Sequence, residues 1–186
     1  MSGNASLIVI TIIYTRRMAN KVLLIGSCGV GKTWVMKSII NEFECLKRQK
    51  YGKFYFHRAD RLIVVGKYDG SMYEGSDRLS MSINTDLDAF ISFTHDFLVI
   101  LEGDRFTNSK FIAKAKPMII KIDGDGKEGR LKRQSTQSER HLKSIATRVS
   151  NIKADIVCES SSDALLTICD IVCNYYTNET GKGYKK

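Results

Sequence analysis

The chain has 186 residues, 43% hydrophobic and 26% charged, with a single proline and a net charge of +9. Such a length suits one compact domain, and ordinary apolar and aromatic content excludes a disordered tail protein. The longest mostly apolar run, Leu7–Tyr14, spans eight residues, where a membrane-spanning helix needs roughly 20, and no basic stretch precedes it as in a signal peptide.

Residues 1–17 read either as an extension upstream of a start at Met18 or as an extra strand at a sheet edge. The run Lys21–Ile25 then predicts a first strand ending at Gly26. Thr33–Phe43 follows with helical spacing that puts Val35, Ile39, Ile40 and Phe43 on one face. Phe54–Phe56 and Leu62–Val65 are two short β-rich runs separated by His57–Arg61. Lys67–Ser80, rich in Gly, Ser, Asp and Tyr, reads as an ordered loop. A helix is expected from Asn84, burying Leu87, Phe90 and Ile91. Phe97–Leu101 is a continuous apolar strand of the kind a parallel sheet covers on both faces. Thr107–Lys116 predicts a short helix, Met118–Ile122 a strand, and Ile156–Cys158 a weak last strand. Between the last two, residues 126–150 form a basic, polar stretch that reads as helical from Ser138. Asp163–Tyr176 is the final helix, and the domain is expected to span residues 18–176, with a flexible tail from residue 177 to residue 186. Strands alternating with helices define an α/β fold with a mainly parallel sheet.

The chemistry concentrates in Gly26-Ser27-Cys28-Gly29-Val30-Gly31-Lys32-Thr33, a full match to G-x-x-x-x-G-K-[ST] between an apolar strand and an amphipathic helix. By chance this pattern arises in roughly one chain in a hundred of such length. Glycines let successive N–H groups curl around an anion, and the following helix adds the positive end of its dipole. Lys32 is then placed for β- and γ-phosphates and the Thr33 hydroxyl for Mg²⁺, so the loop predicts binding of ATP or another nucleoside triphosphate.

On these residues the chain resembles the P-loop kinases, specifically the nucleoside and nucleotide kinase group, over about residues 20–176. The resemblance implies a P-loop NTPase three-layer sandwich with a five-stranded, mainly parallel sheet and a short arginine-bearing lid, here at about 126–150. It also implies ATP and Mg²⁺ as cofactors. The strand ending in Glu102-Gly-Asp104-Arg105 offers Glu102 first and Asp104 second for Mg²⁺ or its waters. Asp77-Arg78 resembles the DR element of deoxynucleoside and thymidylate kinases: Asp77 would orient or deprotonate an acceptor hydroxyl and Arg78 would bind a phosphate. A structural salt bridge is the competing reading. Tyr68 and Tyr73 read as base-stacking or as half-buried aromatics. Arg130, Arg133 and Arg140 are the lid candidates for neutralising charge on a transferred phosphoryl group, against a solvated basic helix face.

The chain lacks the Asn-Lys-x-Asp element of small GTPases and the length usual for helicases. A kinase therefore remains, acting on a (deoxy)nucleoside monophosphate or, as in phage-type P-loop kinases of 5-hydroxymethyluracil in DNA, on a base hydroxyl. A non-catalytic ATP-binding switch is the third reading. Charge is uneven: net +6 over residues 1–50, −3 over 51–103, +7 over 104–150 and −1 over 151–186. The surplus in 104–150 and in Lys47-Arg48-Gln49-Lys50 favours a polyanion, and so nucleic acid, as a partner. No membrane partner is indicated, and a homodimer is what the resemblance suggests. Five cysteines without a Cys-x-x-Cys pair fit a reducing cytoplasm, the host's if the gene is phage-encoded; Cys169 and Cys173 read as small buried side chains. His57, His95 and His141 have no metal-ligand spacing.

Overall fold

A computed structural model describes residues 20–71, 74–132 and 134–180, with side chains through residue 178. Residues 1–17, Tyr73, Arg133 and the last six residues, named above, lie outside the described residues. At the centre is β1 (Lys21–Gly26), buried along its whole length. Its alternating side chains feed two separate cores: Val22 and Leu24 pack on one face of the sheet, Leu23 and Ile25 on the other. A strand buried on both faces must be apolar throughout, which is why KVLLI carries no alternation.

Among the described residues seven strands form one sheet in the order β2-β3-β4-β5-β1-β6-β7. The remaining strands are β2 (Lys47–Tyr51), β3 (Phe54–Ala59), β4 (Leu62–Val65), β5 (Leu98–Glu102), β6 (Met118–Ile122) and β7 (Ile156–Cys158). The expectation of five strands is thus corrected to seven among the described residues: β4, β5, β1, β6 and β7 run parallel, and the β2–β3 hairpin adds two antiparallel strands at one edge. β2 escaped the hydrophobic pattern because Lys47, Arg48 and Lys50 are all exposed on a sheet edge, where charge blunts further pairing. β3 also runs on through His57, Arg58 and Ala59, residues that read as a connection.

Helices cover both faces. On one side lie α1 (Lys32–Glu42), through Val35, Met36 and Ile39, and α6 (Ser161–Thr180), through Ala164, Ile168 and Val172. On the other lie α2 (Leu87–Phe93), α3 (Ser109–Ala115) and α5 (Glu139–Ser150), contributing Leu87 and Phe90, Phe111, and Ile145 and Val149. A short helix α4 (Lys127–Lys132) precedes α5. Asn108 caps α3 and Ser138 caps α5, each accepting from a backbone N–H three residues on. Three differences from the sequence reading concern ends and burial. α2 starts at Leu87 because a 3₁₀ turn, Ile83–Asp86, occupies the preceding residues. α6 continues to Thr180, so 177–180 belong to the folded helix, held by Tyr175 and Tyr176 at its buried side. Cys169 is half-buried and Cys173 exposed, since the buried stripe of α6 runs instead through Ile168, Ile171 and Val172.

Candidate functional site

The loop Gly26–Thr33 leaves the carboxyl end of β1 and enters α1 at Lys32. Gly29 and Gly31 adopt φ of 95° and 96°, a region that side-chain-bearing residues rarely occupy, so the two glycines are required by the curl itself. Lys32 Nζ folds back over the loop and donates to Gly26 O at 2.8 Å and Ser27 O at 2.9 Å. The ammonium is therefore held by two neutral carbonyls and by no carboxylate partner among the described residues.

Beside the loop stands the end of β5. Glu102 is 3% exposed, and its Oε1 accepts from Thr33 Oγ1 at 3.3 Å and from the Tyr68 hydroxyl at 2.9 Å. Burial holds its carboxyl above the ordinary range, while the Lys32 charge and the Tyr68 hydrogen bond pull the other way. Tyr68 is buried, so it is a partner of Glu102 and not a platform for a base. Gly75 is where the loop from β4 crosses this carboxylate: a Cβ there would collide with Glu102 Oε1 and lie 3.6 Å from Thr33 Oγ1. The contact explains a glycine that the sequence alone presented as one of several.

The next turn, Ser76–Arg78, docks on the residues after β5. A Cβ at Gly103 would meet Ser76 Oγ at 2.5 Å and Asp77 Oδ1 at 3.8 Å. Arg105 Nη2 donates to Asp77 O at 3.3 Å. Asp77 is thus brought to the site, near enough for its charge to act on Glu102 and Tyr68. Arg78 is directed elsewhere. Its Nη1 takes both carboxylate oxygens of Asp69 at 2.8 Å and the Ser71 hydroxyl at 2.7 Å, so the pair that forms is Asp69–Arg78, not Asp77–Arg78. Hydrogen bonds from Ser71 and the Arg78 charge hold Asp69 down at about 2. The segment is further pinned by a Lys37–Glu74 ion pair of 2.8 Å and by a two-way backbone bridge between Lys67 and Gly75.

The lid candidates separate. Arg130, in α4, donates to Cys28 O at 2.7 Å and to Asp125 O. Backbone meets backbone here, since a Cβ on Gly29 would overlap Gly126 O, one on Gly126 would overlap Cys28 O, and one on Gly129 would overlap Gly29 O. Arg140 stands exposed in the first turn of α5, away from such contacts. Asp104 is engaged by Arg148 and by the Thr107 hydroxyl. It serves as a tie between α5 and the turn after β5, while Glu102 alone of the two acids reaches Thr33.

Thr33 and Glu102 are two hard oxygen donors on adjoining elements. Mg²⁺ needs only one or two such protein donors when it shares phosphate oxygens, so the pair fits that ion and a triphosphate on the loop. Among the described residues no group of three or more His, Cys, Asp or Glu side chains is placed to hold a metal on its own, and no helix is long and apolar enough to cross a membrane. No protein-family model matches the chain. No curated protein is significantly similar to it.

Proposed function

We propose that the protein transfers the γ-phosphoryl group of ATP to a nucleotide-type acceptor, the first reading being a (deoxy)nucleoside monophosphate. The observation carrying this is the convergence of Lys32, Thr33 and Glu102 at the strand ends of β1 and β5, with Asp77 on one side and Arg130 on the other. Lys32 would exchange its carbonyl partners for β- and γ-phosphate oxygens, and N–H groups of the loop would face the same anion. Thr33 and Glu102 would hold Mg²⁺, which when bound supplies positive charge to the triphosphate. An acceptor oxygen would form a new bond to the γ-phosphorus while the bond to the β,γ-bridging oxygen breaks, releasing the diphosphate. Where the acceptor is a hydroxyl, its proton would pass to Asp77. Arg130 would meet the charge spreading over the transferred group.

A base hydroxyl in DNA is the second acceptor reading, favoured by the cations around Tyr55, among them Lys67, whose backbone bridges Gly75. The test is a transfer assay with Mg²⁺ and γ-labelled ATP against nucleosides, nucleoside monophosphates, plain DNA and hydroxymethylated DNA. Label on a monophosphate supports the first reading and label only on modified DNA the second. ATP bound tightly through Lys32 with no acceptor labelled would leave the chain a nucleotide-dependent switch and sink both.

A further inference from the structure

Lys47–Arg58 carries five cations and no carboxylate, and the proposed transfer to a free monophosphate uses none of them. The β2–β3 register sorts them by face. Lys50 lies opposite Tyr55 and Arg48 opposite His57, whereas Tyr51 pairs with Phe54 and Gln49 with Phe56 on the reverse. The reverse face is glued to α2: Tyr51 stacks on Phe93 with ring centroids 4.4 Å apart, and Phe54 and Phe56 pack on Phe90. That anchoring makes the outward face a fixed platform.

On the outward face three cations gather around one half-buried ring. Lys67 Nζ lies 4.1 Å from the Tyr55 centroid, Lys50 Nζ 5.2 Å and the Arg48 guanidinium 5.4 Å. Among the described residues neither Lys50 nor Lys67 has a carboxylate partner, and Arg48 has only Asp69 at 3.8 Å. Three like charges within one ring's reach repel one another, a cost that an interleaved polyanion relieves. An aromatic ring set among cations is the arrangement that single-stranded nucleic acid uses, phosphates on the cations and a base on the ring. Lys67 also joins this patch to the candidate site, because its backbone bridges Gly75, the glycine that crosses Glu102.

We infer that the outward face of the β2–β3 hairpin, centred on Tyr55 with Arg48, Lys50 and Lys67, binds single-stranded nucleic acid. This inference does not depend on the transfer reading, and its test contains no nucleotide triphosphate. Fluorescence anisotropy with a labelled 20-nucleotide DNA single strand of mixed sequence should show binding by the full-length protein that weakens steeply between 50 and 200 mM salt. The double substitution Lys50→Glu/Lys67→Glu should weaken it at least tenfold, and Lys50→Gln/Lys67→Gln, a milder change at the same positions, about threefold. Tyr55→Leu, which keeps bulk and removes the ring, should cost about fivefold. Lys143→Glu/Lys153→Glu makes the same charge change at exposed positions elsewhere and should leave affinity within twofold. No binding at 50 mM salt, equal losses in the two glutamate pairs, or a duplex of the same length bound as tightly as the single strand would each overturn the inference. Thermal unfolding of every variant, with midpoints within a few degrees of the parent, makes the affinities comparable.

Discussion

The segment after β4 and the segment after β6 flank the same glycine loop, yet they treat their arginines in opposite ways. In the first, Arg78 is neutralised by both oxygens of Asp69, and Glu74 by Lys37. In the second, Arg130 is held by the carbonyls of Cys28 and Asp125, which fix its position without cancelling its charge. A guanidinium bound by carbonyls remains a full cation facing the loop, whereas one bound by a carboxylate presents little net charge to an anion. Two arginines equally plausible in the sequence thus differ in what they can offer a phosphate. Arg78 shapes the segment after β4, and Arg130 is the cation left facing the glycine loop.

The largest expected effect tests what both segments serve. Lys32→Ala should lower the proposed transfer by about 10³-fold, equivalent to about 4 kcal/mol, with ATP affinity read by calorimetry falling alongside; ATP bound as tightly as by the parent would place the triphosphate away from the glycine loop. Next comes Arg130→Ala, which should cost about 10²-fold in kcat with little change in stability, because the lost bonds are to exposed or half-buried carbonyls. Gly126→Val should act through the same contact, since its side chain would strike Cys28 O and force the segment after β6 off the loop; about 1–3 kcal/mol of stability is expected to go with it, as in other overpacked sites. Arg78→Ala should be the mildest of the four, under tenfold in kcat and about 1 kcal/mol or less in urea unfolding, as for exposed ion pairs generally. If Arg78→Ala proved as damaging to kcat as Arg130→Ala, the contrast drawn between carboxylate-held and carbonyl-held arginines would be broken.

The sequence made some of this arrangement readable and hid the rest for physical reasons. The glycine loop and the buried strands were legible because their constraints are local: positive φ at Gly29 and Gly31, and two-sided burial of KVLLI and LVILE. Glu102 was legible as an acid ending an apolar strand. The partner of Arg78 was not, because adjacency in sequence favoured Asp77 while the turn Ser76–Arg78 carries the side chain back to Asp69, nine residues away. Tyr68 stays open in the sequence between a platform for a base and a half-buried aromatic, because nothing local reveals that β5 delivers a carboxylate to its hydroxyl. The roles of Gly75, Gly126 and Gly129 depend on non-local backbone approach, which composition does not encode. β2 was hidden because its pattern is that of an exposed, charged edge, and its strand character comes from pairing with β3.

The smallest effect concerns the wall behind the segment after β4. His57 is 7% exposed; its Nδ1–H donates to Cys45 O at 3.2 Å, and its Nε2 has no partner among the described residues. Burial lowers its pKa below 6.5; the bond to Cys45 opposes that shift, and of the nearby charges Arg48 reinforces it while Asp69 opposes it. The unfolded chain therefore binds a proton near pH 6.5 that the folded chain refuses, so stability is full above that pH and declines as the pH falls below it. Urea unfolding at pH 7.5 and 5.5 should show a loss from this group of no more than about 1.4 kcal/mol. His57→Gln, which retains a donor for Cys45 O and cannot be protonated, should remove most of that loss. An equal decline in parent and variant would place the acid-sensitive group elsewhere than at His57.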